Sequence, residues 1–218
     1  MTGAGWGPLD GARLVERHRG SAVLERGAEW PRFGDATALV AALVAFDALS
    51  EDCRARGVIG CRGSSSAVHT LSMRISVEER LGPLGWLVRL LSSRAAVSAL
   101  EEAAIAQGTV LRLVVEEGAR FELEVVSKGD YPADRMSGLL AAVRSGYLVE
   151  LLTIVEALAQ VPRPALGEHA HGARGGAASA GVTLAALMFS MVEEAAQRRD
   201  ERAIEEAFVR LRAFARDS

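Results

Sequence analysis

Between Gly108 and Lys128 the chain reads GTVLRLVVEEGARFELEVVSK, and this stretch decides more about the fold than any other. Leu111, Leu113 and Val115 alternate with Val110, Arg112 and Val114; beyond Glu116-Glu117-Gly118-Ala119, Phe121, Leu123 and Val125 alternate with Arg120, Glu122 and Glu124. Alternation of this period puts one set of side chains on a buried face and the other in water, so the stretch is predicted to be a β-hairpin. Gly118 is the turn residue expected to take a positive φ, because it has no Cβ to clash there.

Val68 to Val77 repeats the pattern, with Leu71, Met73, Ile75 and Val77 opposite Thr70, Ser72, Arg74 and Ser76. Between the two strand regions, Pro83 is placed to open a helix at its first turn, where a missing N–H is harmless. Leu84, Leu87, Val88 and Leu91 give that helix an apolar stripe. Ser93 is positioned to cap a continuation through Val97, Leu100 and Ala104, and Gly108 to end it. Upstream, Asp35 is expected to cap a helix from Ala36 to Arg56, with Leu39, Leu43, Phe46, Leu49 and Cys53 on one face and Gly57 as its stop. Asp47 within it is expected to face solvent, and Val58 to Ser66 to form a loop. Downstream, a long helix over 132–160 carries the stripe Met136, Leu140, Val143, Tyr147, Leu151, Ile154 and Leu158. Gly138 and Gly146 weaken that helix and permit close approach of a neighbour.

These elements predict an α+β fold: an open, antiparallel or mixed sheet of three strands, four if the N-terminal arm adds one, with helices on one face. A right-handed crossover makes the first two strands parallel and sets Arg120 to Val126 between them. The order of elements over about residues 67 to 160 resembles that of ferredoxin-like sandwiches. The resemblance is one of order alone and transfers no functional residue. Four segments are expected: a loosely ordered arm (1–34), an α+β core (35–161), a flexible linker (162–181) and a C-terminal helical segment (182–218). The linker expectation rests on PRPALGEHAHGARGGAASAG, which has Pro and Gly throughout and no apolar period. The last segment is expected as one long helix or as a helical hairpin broken near Arg198 to Asp200.

Charge and composition narrow the function. With 25 basic and 28 acidic residues interspersed, the net charge of −3 supplies no field for a phosphate backbone, and nucleic acid is not the expected partner. The polar sheet face (Thr70, Ser72, Arg74, Arg112, Glu122, Glu124, with Val110 and Val114) lacks the stacked aromatics of an RNA-binding sheet; cross-strand Arg and Glu pairs on a solvated face are expected there, with a protein-docking surface as the alternative. Aromatic residues make up only 5% of the chain, which argues against a large cofactor cavity, and no cofactor is expected. Cys53 and Cys61 are too few for a disulfide framework, and Met1 to Asp10 lacks the features of a signal peptide, so a cytoplasmic location is expected. Ala36 to Phe46 and Val182 to Val192, read as the longest strongly apolar segments, fall short of the roughly 20 residues of a bilayer-crossing helix, and no membrane span is expected.

Few residues carry chemistry. Cys61 and His69 are the Cys and His nearest in sequence and could form a thiolate–imidazole pair, though no orienting Asn or Asp accompanies them. His169 and His171 could begin a metal site but supply only two ligands, and no metal is expected. Gly3, Gly5 and Gly7 lack the strand and helix of a phosphate loop. Acidic pairs such as Glu101-Glu102 and Glu193-Glu194 read as solvated helix faces. The C-terminal segment carries the expected partner-binding residues Met188, Met191, Ile204, Phe208 and Leu211, an apolar stripe in which flexible methionines help a helix fit a groove. The expected function is a non-enzymatic protein-interaction or regulatory module, such as an adaptor of a bacterial signalling or defence assembly, bound to a protein partner or to itself. The alternatives are a small-molecule-sensing domain and an enzyme using Cys61 and His69.

Overall fold

The computed structural model describes residues 9–10, 23–24, 32–33, 37–63, 68–126 and 133–218. They fall into two compact units, divided after Ser137. The expected α+β core to residue 161 therefore ends earlier, and most of the long helix belongs to the second unit.

In the first unit, helix α1 (Thr37–Asp52) precedes strands β4 (Arg56–Gly63) and β5 (Val68–Ser76). Helices α2 (Pro83–Ser92) and α3 (Arg94–Ala106) follow, and then strands β6 (Arg112–Val115) and β7 (Ala119–Val126). Three two-residue strands precede α1: β1 (Leu9–Asp10), β2 (Val23–Leu24) and β3 (Arg32–Phe33). The rest of the arm, Asp35 and the Gly3-Gly5-Gly7 run included, lies outside the described residues.

The sheet order is β2-β4-β5-β7-β6. From β4 to β6 neighbours are antiparallel, whereas β2 adds to the β4 edge in parallel, Val23 opposite Val58 and Leu24 opposite Ile59. The arm thus contributes a short edge strand. Because β5 and β6 are each antiparallel to β7, they are parallel to one another, with the last strand between them as the crossover argument requires. The ferredoxin-like order is not met. The strand on the other side of β5 is β4, which precedes it in the chain, where that order needs a strand arriving after a further helix.

Ile59, Leu71, Met73, Ile75, Ala119, Phe121, Leu123 and Val125 are all buried on one sheet face. Helix α1 lies over that face: a Cβ built on Gly57 of β4 would stand 2.7 Å from Ser50 Oγ and 2.9 Å from the Phe46 ring. Gly57 is therefore a close-approach residue inside a strand, not the end of a helix. The helix ends earlier, with Arg54 left-handed at φ 48°. The expected loop at Val58 to Ser66 is largely strand β4; its glycines dilute the alternation that would have marked it. Asp47 also differs from expectation, being only 8% exposed, because α1 is packed on more than the one face its stripe suggested. Gly118 has no positive φ; a side chain there would put its Cβ 2.7 Å from the Ile75 carbonyl oxygen across the sheet. Pro83 opens α2 and Gly108 (φ 74°) ends α3, as the sequence predicts; Ser93 stands at the N-cap position of α3, but its side chain makes no capping hydrogen bond.

The second unit is helical: α4 (Ala133–Ala159, whose first residues fall in the first unit), α5 (Arg163–Ser179), α6 (Thr183–Arg198) and α7 (Glu201–Arg216). Helix α5 occupies the expected linker. Alanine is the strongest helix former, and Leu166, Ala170 and Ala177 make a narrow buried stripe that lets α5 and α6 approach closely. Gly167 shows how closely, since its Cβ would lie 3.9 Å from that of Ala196. The break expected near Arg198 to Asp200 is present. Arg199 is left-handed (φ 55°), and Asp200 caps α7 by accepting a hydrogen bond from the Ala203 amide at 3.0 Å.

Candidate functional site

The stripe expected to bind a partner is internal. Met188, Ile204 and Leu211 are fully buried, Phe208 is 5% exposed and Met191 half-buried. This corrects the sequence expectation of an exposed C-terminal surface. Once α5 is a helix and not a tether, α6 and α7 have neighbours in their own unit, and the apolar stripe is spent on them. Arg212 of α7 ties the far side down, its Nε and Nη2 each donating to Glu156 of α4 at 2.9 Å. That fork of hydrogen bonds holds the Glu156 carboxyl below its ordinary range and raises the Arg212 guanidinium.

Cys61 and His69 lie on the same sheet face, Cys61 opposite Leu71 and His69 opposite Gly63, diagonal neighbours on adjacent strands. Burial pushes the Cys61 thiol up to about 11, so at neutral pH it is a thiol and a poor nucleophile. His69 Nδ1 is buried and makes no hydrogen bond. Cys53 is buried and its thiol is likewise raised, mainly by burial. His171 Nδ1 stands 3.0 Å from both Glu193 Oε1 and Arg174 Nη2, and Arg174 Nη1 lies 3.3 Å from Glu193 Oε2. Glu193 thus serves as the acceptor that joins α5 to α6, while His169 is exposed. Among the described residues no three His, Cys, Asp or Glu side chains come together as metal ligands.

What stands out instead is one flank of α4. Leu139, Val143 and Val149 are 57%, 44% and 81% exposed, three of the large apolar side chains left in water. Gly138, Ala142 and Gly146, also exposed, recur every fourth residue along the same side, and a Cβ on either glycine would meet nothing within 4 Å. Neither glycine is required by packing within the described residues. Tyr147, one turn beyond Val143, is engaged: its hydroxyl donates to the Ala173 carbonyl at 3.2 Å, and its ring lies 3.4 Å from where a Cβ on Gly176 would be. Burial pushes the Tyr147 phenol up to about 12. From Gly138 to Val149 the sole charged residue is Arg144, which is half-buried and off this flank.

This helix also overturns the expectation that every apolar stretch is short. Met136–Ala159, 24 residues, is long and apolar enough to cross a bilayer by length and composition. The sequence signal was diluted by Arg144, Glu150 and Glu156, spaced six apart.

No protein-family model, curated protein or solved structure matches the chain. The fold and the unpartnered flank of α4 are accordingly the basis for a functional reading.

Proposed function

We propose that the protein is a non-enzymatic interaction module that receives a partner helix, from a second copy or a companion chain, along the exposed flank of α4. The observation that carries this reading is the coincidence of exposed Leu139, Val143 and Val149 with two glycines whose Cβ positions are open. Glycine inside a helix costs about 1 kcal/mol relative to alanine, and small residues let a second helix backbone come close. A flank of this kind is useful when something covers it. The raised Cys61 thiol speaks against the enzyme alternative. The test is sedimentation velocity on untagged protein purified from its own cells, beside a Leu139→Glu, Val149→Glu variant. An assembly lost in the variant without a change in thermal melting supports the reading; a monomer in both cases opposes it.

A second reading, that α4 enters a bilayer, is favoured by the length and composition of Met136–Ala159. Two observations weigh against it. Six residues are one and two-thirds helical turns, so Arg144, Glu150 and Glu156 point in three directions and leave no side of the helix uncharged. Glu156 is also paired with Arg212, and Leu151, Val155 and Leu158 are buried in the helical unit. Partitioning of the intact chain into anionic liposomes would favour the bilayer reading.

A further inference from the structure

The sheet face turned away from α1 carries a second, differently charged surface. In register across four strands stand Val58, Arg74, Arg120 and Val114, with Gly60, Ser72, Glu122 and Arg112 in the row beside them. Arg62, Thr70 and Glu124 form a third row, and Arg56 and Ser76 a fourth. Five arginines thus share the face with two glutamates. Glu122 is engaged by two of them, lying 3.2 Å from Arg120 Nε and 3.6 Å from Arg112 Nη1. Arg56, Arg62 and Arg74 are exposed, and no ion pair to them is present among the described residues.

The centre of the face is the informative place. Arg74 and Arg120 are directly opposite one another on adjacent antiparallel strands, an arrangement of like charges that destabilises a sheet. The Arg74 guanidinium, exposed, and that of Arg120, whose Nε faces Glu122, stand in one row with a valine at each end, and match a pair of carboxylates set between apolar side chains. We propose that this face binds an acidic protein segment, two neighbouring carboxylates flanked by apolar residues, laid across β4, β5, β7 and β6. Nucleic acid fits less well. Among the described residues the face has no aromatic side chain on which a base could stack, Glu122 and Glu124 interrupt it, and the net charge of −3 gives no long-range pull on a polyanion.

The test is fluorescence anisotropy on the full chain with a labelled Gly-Val-Asp-Glu-Val-Gly peptide and its amide counterpart, Gly-Val-Asn-Gln-Val-Gly. The acidic peptide should bind at least tenfold tighter than the amide and weaken as salt is raised. Arg74→Glu should lower that affinity at least tenfold while leaving the melting temperature unchanged or higher, because it replaces a repulsive cross-strand pair with an attractive one. Arg62→Glu, at the margin of the face, should cause a smaller loss. Equal binding of the two peptides, no binding at millimolar peptide, or an affinity indifferent to Arg74→Glu would each overturn the proposal. So would a single-stranded RNA oligonucleotide that binds more tightly than the peptide with the same dependence on Arg74.

Discussion

The two halves of α4 have nearly the same chemistry and opposite fates. Leu151, Val155 and Leu158 in the second half are buried in the helical unit, whereas Leu139, Val143 and Val149 in the first half stand in water. Leu151 and Leu158 lie on the apolar stripe that runs through Tyr147, whereas Leu139 and Val149 lie off it, so the bare flank is a second apolar side of the helix. The glycines sharpen the contrast. Gly176 on α5 meets the Tyr147 ring, while Gly138 and Gly146 on α4 meet nothing. A Cβ on Gly172 or Gly175 of α5 would also meet nothing, so the open glycines of α4 count only together with the exposed Leu139, Val143 and Val149.

Substitutions can break this comparison, beginning with the largest effect. Leu151→Ala should destabilise the chain by about 3 kcal/mol in urea unfolding, while Val149→Ala should stay within about 0.5 kcal/mol. Equal losses at the two positions would mean the halves are not different. Gly57→Ala is expected to cost at least about 1 kcal/mol, since the new methyl meets Phe46 and Ser50 behind the sheet. Gly146→Ala should do the reverse, stabilising the free chain by up to about 1 kcal/mol while weakening any association. Asp200→Ala should cost about 1 kcal/mol through the lost cap of α7. The smallest effect belongs to Glu156. Its carboxyl is depressed by the hydrogen bonds from Arg212, so the pair's stabilisation is complete at neutral pH and is lost as pH falls below the ordinary carboxylate range, about 4.3, through the depressed value. Because both groups are largely solvated the change is small, and Glu156→Gln should flatten that part of an acid-melting profile.

Much of the first unit was legible because its signals are local. The alternation in β5, β6 and β7, Pro83 at the start of α2, the interruption at Ser93 and the stop at Gly108 each follow from one residue or a short repeat. Strand β4 is not legible, because Gly57 is there for the approach of α1, a tertiary fact that reads locally as a loop. Helix α5 was missed for a related reason: its buried face is built from Leu166, Ala170 and Ala177, too small to register as an apolar stripe. Without α5 as a helix, Met188, Ile204, Phe208 and Leu211 have no neighbour that the sequence shows, and they read as a docking surface.

The most direct test of the docking flank is amide hydrogen exchange along α4, comparing untagged protein from its own cells with the Leu139→Glu, Val149→Glu variant. Residues 138–150 should exchange more slowly in the wild-type protein, while 151–159 are equally protected in both. Identical exchange along the whole of α4 would contradict the claim that this half-helix is where the partner sits.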